Sequence, residues 1–245
     1  MEIRDKTILV TGAARRVGRV IAIALARRGG RIALHYNSSA AEAEATAGEV
    51  AGLGVEVELF QADLRHVHAL EKMVDRVYAR FGQVHVLVNN ASVFFKTPFE
   101  SITEQDWDTT LNANLKGPFF LSLHVGRRML EAEIQGKIVN IADWAGERPY
   151  PDYVPYCISK AGIIAMTKGL AKTLAPNIAV MAVAPGPVLW PEDLGDEELK
   201  SVLQKTPLRR VGRPEDVAGA VAFIIEGNDY MTGSTIFVDG GRLAG

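Results

Sequence analysis

Thr7-Ile8-Leu9-Val10-Thr11-Gly12-Ala13-Ala14-Arg15-Arg16-Val17-Gly18 is the stretch whose reading decides the fold. Its first half is short, apolar and β-branched, as a buried strand is. Its second half is a glycine-bearing turn leading into the helical periodicity of Val17–Arg28. A turn placed between a strand and a helix offers the helix N-terminus to an anion and suits the pyrophosphate of a dinucleotide. Gly12 permits the tight turn, and Gly18 permits close packing of helix on strand. Arg16 stands where a further glycine is expected, and Arg15 and Arg16 bring guanidinium donors to phosphate oxygens.

The same alternation continues outward. Strand candidates are Thr7–Thr11, Arg31–Tyr36, Val55–Gln61, Val84–Asn89, Lys137–Ile141, Ile178–Ala184 and Thr235–Asp239, with helical patterns such as Ala40–Leu53 and Ala69–Phe81 between them. Strand–helix alternation predicts right-handed βαβ units, a parallel sheet and one domain over 1–245. The second strand ends Leu34-His35-Tyr36-Asn37-Ser38-Ser39, without the acid that would hold the ribose 2′-hydroxyl of NAD. With Asn37, Ser38, Ser39 and the two arginines as donors, NADP(H) is expected rather than NAD(H). Ser38-Ser39 also reads as the cap of the next helix.

A second stretch carries chemistry. Lys137–Ile141 reads as a buried strand ending at Asp143, where ligands of open α/β sheets bind. After a loop, Pro155 fits a first helical turn, and Tyr156 and Lys160 fall at i and i+4 on one face. A phenol near pKa 10 is too weak an acid at neutral pH, and an adjacent ammonium is expected to pull it down. Tyr156 is then a proton donor. The plain alternative is a surface tyrosine beside a solvated lysine.

Other landmarks fall at the same sheet edge: Asp63-Leu64 after the third strand, and Asn89-Asn90-Ala91-Ser92 with Phe94 and Phe95 after the fourth. The two asparagines are expected to hold a turn. Asn114, inside a long apolar helix, predicts a kink or a bound water. Ala184-Pro185-Gly186-Pro187-Val188-Leu189-Trp190 demands a loop. Trp190–Gln204 reads as a mobile helical cover, with Trp190 either core or lid.

Composition removes other classes. The 245 residues are 48% hydrophobic and 23% charged with net charge −2, and no basic stripe suggests nucleic acid. Cys157 is the single cysteine, so no internal disulfide forms, which suits a reducing, cytoplasmic setting. It reads as a packed side chain. The histidines, including the surface pair His66 and His68, show no metal spacing. No apolar run is long enough to span a membrane.

Taken in order, T-G-x-x-x-x-x-G at Thr11–Gly18, Asp63, Asn89-Asn90-Ala91, Asn114, Tyr156-x-x-x-Lys160 and Pro185-Gly186 resemble the short-chain dehydrogenase/reductase family over essentially the whole chain. The resemblance implies a three-layer Rossmann fold, a doubly wound seven-stranded parallel sheet with helices on both faces, and a homotetramer. It implies that Tyr156 donates the proton, Lys160 holds the ribose and tunes Tyr156, and Asn114 fixes a relay water. The cofactor-facing set becomes Gly12, Arg15, Arg16, Val17, Gly18, Tyr36, Asn37, Ser38, Ser39, Asp63, Leu64, Asn90, Ala91, Ser92, Tyr156, Lys160, Pro185, Gly186 and Val188. It also assigns the stretch from Pro207 to Gly241 to subunit assembly rather than chemistry.

Two departures point further. Asp143 occupies the position, thirteen residues before Tyr156, where the family carries serine, and Arg16 replaces a glycine. Both changes, with Asn89-Asn90-Ala91-Ser92-Val93-Phe94, His35-Tyr36 and Ser39-Ala40-Ala41-Glu42-Ala43, resemble the pteridine reductase branch. Ser38 departs from it, standing where trypanosomatid members have arginine. The branch implies a small substrate held by Arg16, Ser92, Phe94, Asp143, Tyr156 and Trp190, with Phe94 sandwiching a pterin against the nicotinamide. An ionised carboxylate only accepts hydrogen bonds and repels a developing oxyanion, whereas a pterin has N–H donors and basic nitrogens. The leading expectation is hydride transfer to a C=N bond of a pterin- or dihydrofolate-like compound. The alternative is a carbonyl reductase of 3-oxoacyl thioesters, and the remote one an inactive NADP(H)-binding sensor.

Overall fold

The computed structural model describes residues 1–189 and 195–244. Seven parallel strands, β1 (Thr7–Val10), β2 (Arg31–Tyr36), β3 (Val57–Gln61), β4 (Val86–Asn89), β5 (Gly136–Ile141), β6 (Ile178–Pro185) and β7 (Thr235–Val238), form one sheet. Their order is β3-β2-β1-β4-β5-β6-β7. The sheet winds outward in both directions from the β1/β4 junction, so the strand order reverses there and opens a crevice.

Among the described residues there are eight α-helices, most of them packed on the two faces: α1 (Arg16–Ala26), α2 (Ala40–Ala51), α3 (Val67–Phe81), α4 (Glu104–Leu111), α5 (Gly117–Glu131), α6 (Val154–Leu174), α7 (Asp196–Gln204) and α8 (Pro214–Ala222). The strand alternation of side chains divides the core. Ile8 and Val10 meet Ile21 and Leu25 of α1 and Val217 and Val221 of α8. Leu9, between them, meets Leu70 and Val74 of α3 and Leu121 and Val125 of α5. Each such buried side chain contributes about 1.5–3 kcal/mol of transfer free energy.

All seven expected strands are present, with ends shifted by at most two residues and Arg31–Tyr36 unchanged. His66 occupies the N-cap position of α3, without a side-chain cap bond, and is exposed with His68, as a helix-start surface pair should be. Cys157 is buried, and burial pushes its thiol upward. Of the expected cover, α7 is helical, whereas Trp190 lies outside the described residues. Among the described residues no helix is long and apolar enough to cross a membrane.

Candidate active site

The carboxyl ends of the strands open into a cleft of about 960 Å³. Every residue of the cofactor-facing set lines it, as do the expected substrate residues Arg16, Ser92, Phe94, Asp143 and Tyr156. Asn114 does not line it.

At one end the β1–α1 turn is held rigidly. The Thr11 hydroxyl accepts from Asn90 N at 2.9 Å and Ala91 N at 3.0 Å. Asn90 Nδ2 donates to the carbonyls of Thr11 at 2.8 Å and Gly12 at 3.2 Å. Gly12 takes φ +63°, and a β-carbon there would stand 2.8 Å from Ala91 Cα. A β-carbon at Gly18 would strike the Gly12 carbonyl oxygen. Arg16 holds a left-handed φ of +54°, a conformation costing a non-glycine residue about 1 kcal/mol. The first turn of α1 has neither an acidic residue nor a side-chain cap. Its free N–H groups and positive dipole end therefore fit a pyrophosphate.

The expectation that both asparagines hold this turn needs correction. Asn90 does so, but Asn89 is buried on the opposite side and donates to Ser122 Oγ and Asn140 Oδ1. Adjacent strand residues point to opposite faces, so one pair cannot serve one turn.

His35 ties the dinucleotide end together, a role that sequence reading missed. Its Nδ1 accepts from Gly12 N at 3.1 Å, and its Nε2 lies 3.0 Å from the Ala62 carbonyl. One buried ring thus braces the β1 turn against the end of β3. Burial pushes its pKa down to about 4, keeping it neutral. Ser39 occupies the N-cap of α2 but its side chain makes no cap bond, contrary to the capping expectation. Arg15 is exposed, 4.0 Å from Glu42. Asp63 is engaged by Arg65, whose Nη2 lies 2.6 Å from Oδ2, and this ion pair holds its carboxyl below the usual range.

At the other end, Asp143 follows β5 and Tyr156 lies in the first turn of α6. The Tyr156 hydroxyl donates to Asp143 Oδ2 at 2.8 Å, and Ala145 N donates to Oδ1 at 2.8 Å. Burial raises the Asp143 pKa, opposed by those two bonds and by Lys160. Lys160 Nζ donates to the Ile141 carbonyl at 3.0 Å and lies 5.6 Å from the Tyr156 ring centroid. Burial pushes its pKa down to about 8.

This overturns one expectation. Tyr156 is raised well above 10, by burial first and then by the charge of Asp143. The carboxyl is in direct contact with the phenol while Lys160 bonds elsewhere. Tyr156 and Asp143 therefore form a coupled pair, and the tyrosine is not acidified by Lys160.

Asn114, for which a kink or a bound water is expected, sits in a π-helical turn, Asn112–Lys116, between α4 and α5. Its Oδ1 accepts from Val93 N at 2.8 Å, and its Nδ2 donates to Val93 O at 2.9 Å and Ser159 Oγ at 3.3 Å. It thereby fixes the segment that carries Phe94. Phe94 is 55% exposed. Its ring stacks on Tyr153 at 4.5 Å and meets Tyr156 edge-on at 4.7 Å. Tyr150 meets Tyr153 at 6.0 Å, making an aromatic wall. Tyr153, the N-cap residue of α6, and Tyr150 are not singled out by sequence reading.

A strand–turn–helix cradle joined to Tyr156, Lys160 and Asn114 defines a nicotinamide-dependent oxidoreductase, and the chain belongs to the short-chain dehydrogenase/reductase family. A family model described as enoyl-(acyl carrier protein) reductase matches residues 12–242. A protein named 3-oxoacyl-[acyl-carrier-protein] reductase FabG from Staphylococcus epidermidis is 38% identical over 241 residues, covering 97% of this chain and 98% of that one. A Synechocystis protein named 3-oxoacyl-[acyl-carrier-protein] reductase is 36% identical, covering 96% of each. Among solved structures, a variant of a Serratia marcescens short-chain dehydrogenase/reductase superposes with TM-score 0.92 at 32% identity, covering 99% of this chain and 100% of that one. Acetoin dehydrogenase from Enterobacter cloacae gives TM-score 0.90 at 32% identity, covering 98% and 96%.

Proposed function

We propose that this oxidoreductase uses NADPH to reduce a C=N bond in a flat, pterin- or dihydrofolate-like heterocycle. The observation that carries the reading is the 2.8 Å hydrogen bond between Tyr156 and the buried carboxyl of Asp143. When bound, NADPH supplies the hydride that adds to the carbon of the C=N bond. The ring nitrogen takes its proton from Tyr156, and Tyr156 recovers one from Asp143, whose burial favours the protonated form. Lys160, still charged below about pH 8, opposes charge build-up on the pair. Phe94, Tyr150 and Tyr153 give the flat ring an apolar wall.

The choice of NADPH over NADH rests on a β2 end without an acid and on Ser39, Arg15 and Arg16 beside it. A cytoplasmic homotetramer, as the family resemblance implies, belongs to the same proposal.

A second reading is carbonyl reduction of a 3-oxoacyl thioester. The names of the sequence relatives favour it, and taken alone they speak for it more than for a pterin. Against it stands Asp143. Hydride addition to a carbonyl builds negative charge on the substrate oxygen before Tyr156 protonates it to the alcohol, and any ionised fraction of Asp143 repels that charge. Following NADPH consumption with dihydrobiopterin, dihydrofolate and an acetoacetyl thioester decides between them. Turnover of the pterins supports the proposal, and turnover of the thioester alone overturns it.

A further inference from the structure

The C-terminal turn, which the resemblance assigns to assembly, reaches the cleft. Gly240 and Gly241 adopt left-handed φ of +66° and +85° and fold the chain back after β7. Asp239 fastens the turn, its carboxylate accepting from Gly241 N at 2.9 Å and Leu243 N at 2.7 Å. A β-carbon on Gly240 would lie 2.8 Å from Thr206 Cγ2, so the turn sits tightly against the end of α7. This places Arg242 in the cleft wall.

Arg242 there touches two separate parts of the site. Its guanidinium lies 4.8 Å from the ring centroid of Trp144, the residue after Asp143. The Trp144 indole N–H in turn donates to the Tyr150 hydroxyl, and Tyr150 belongs to the aromatic wall. On its other side, Arg242 Nη1 donates to the Val202 carbonyl of α7 at 3.0 Å and to Thr206 Oγ1 at 3.4 Å. Arg148, from the loop after Trp144, donates to the Arg242 carbonyl at 3.4 Å. A planar cation that stacks and donates at once is a task for arginine, because lysine lacks both the plane and the fork.

We infer that Arg242 is a positioning residue for the substrate end of the cleft, clamping α7 to the Trp144–Tyr150 wall beside Asp143. It acts through Trp144 and α7, not on the reacting atoms.

The test compares full-length wild type with Arg242→Ala and Arg242→Lys. Hydrogen exchange needs no substrate: in Arg242→Ala the α7 amides are expected to exchange about tenfold faster, with those of α3 and α5 unchanged. In kinetics, on whichever compound the enzyme turns over, KM for that compound is expected to rise about tenfold while NADPH affinity stays within about twofold. Arg242→Lys is expected to recover only part of both effects. Unchanged α7 exchange overturns the proposal, as does a loss shared equally by NADPH affinity and substrate KM. Because the exchange arm is independent of substrate identity, failure of the C=N reading leaves this test intact.

Discussion

Tyr156 and Asp143, thirteen residues apart in the chain, share a 2.8 Å hydrogen bond in the floor of the cleft. Both groups are buried and both pKa values are raised. In the proposed mechanism the carboxyl is the proton store and the phenol its outlet. Asp143→Asn keeps the shape but removes the transferable proton, so kcat is expected to fall about 100-fold or more with NADPH affinity retained. Steady-state kinetics and NADPH fluorescence titration measure the two quantities.

Turnover is expected to decline as pH rises. Asp143, whose pKa burial raises, gives up its proton as pH rises, and Lys160 loses its charge near pH 8. Asp143 raises the Lys160 pKa, so Asp143→Asn removes that support. The step from Lys160 in the residual activity should therefore move to lower pH, which a pH–rate profile reads directly.

His35 supplies a stability test. Its folded pKa is about 4, against the ordinary histidine value of 6.5. Between these values the unfolded chain binds a proton that the folded chain does not. His35 therefore contributes stability that is complete above about pH 6.5 and is lost as pH falls toward 4, amounting to about 3 kcal/mol. His85 is also pushed down to about 4, chiefly by burial, so it adds in the same window. Denaturant unfolding of His35→Gln should show a shallower, not a flat, dependence there.

Phe94 is exposed enough that its removal costs little stability. Phe94→Ala is expected to raise the substrate KM about tenfold and to leave the melting temperature nearly unchanged. An unchanged KM means that the ring takes no part in holding the substrate.

Gly18 has no room for a side chain. Gly18→Ala drives a methyl into the Gly12 carbonyl and displaces the turn, with an expected loss of about 3 kcal/mol and of NADPH binding. Calorimetry with and without nucleotide separates the two losses.

Much of this architecture is legible from local pattern. The β1–turn–α1 unit announces itself because apolar run, glycines and helical period occur within a dozen residues, and the Tyr156/Lys160 pair because helical spacing is regular. What pattern does not carry is the competition between partners. The ammonium at i+4 promises a more acidic phenol, yet burial, and with it Asp143 brought across a loop, raises the phenol instead. Arg242 lies 98 residues beyond Trp144, and only the folding back of the tail at Gly240 and Gly241 joins them. His35 shows the same limit: its ring bridges two loops that no short motif links.

The most direct test of the account is an exchange of substrate preference by Asp143→Ser, read as NADPH consumption with dihydrobiopterin and with an acetoacetyl thioester. The account predicts that wild type reduces the pterin, that the variant loses this activity by about 100-fold, and that carbonyl turnover does not fall with it. Wild-type activity on the thioester alone, lost on Asp143→Ser, would contradict it and make Asp143 part of a carbonyl reductase.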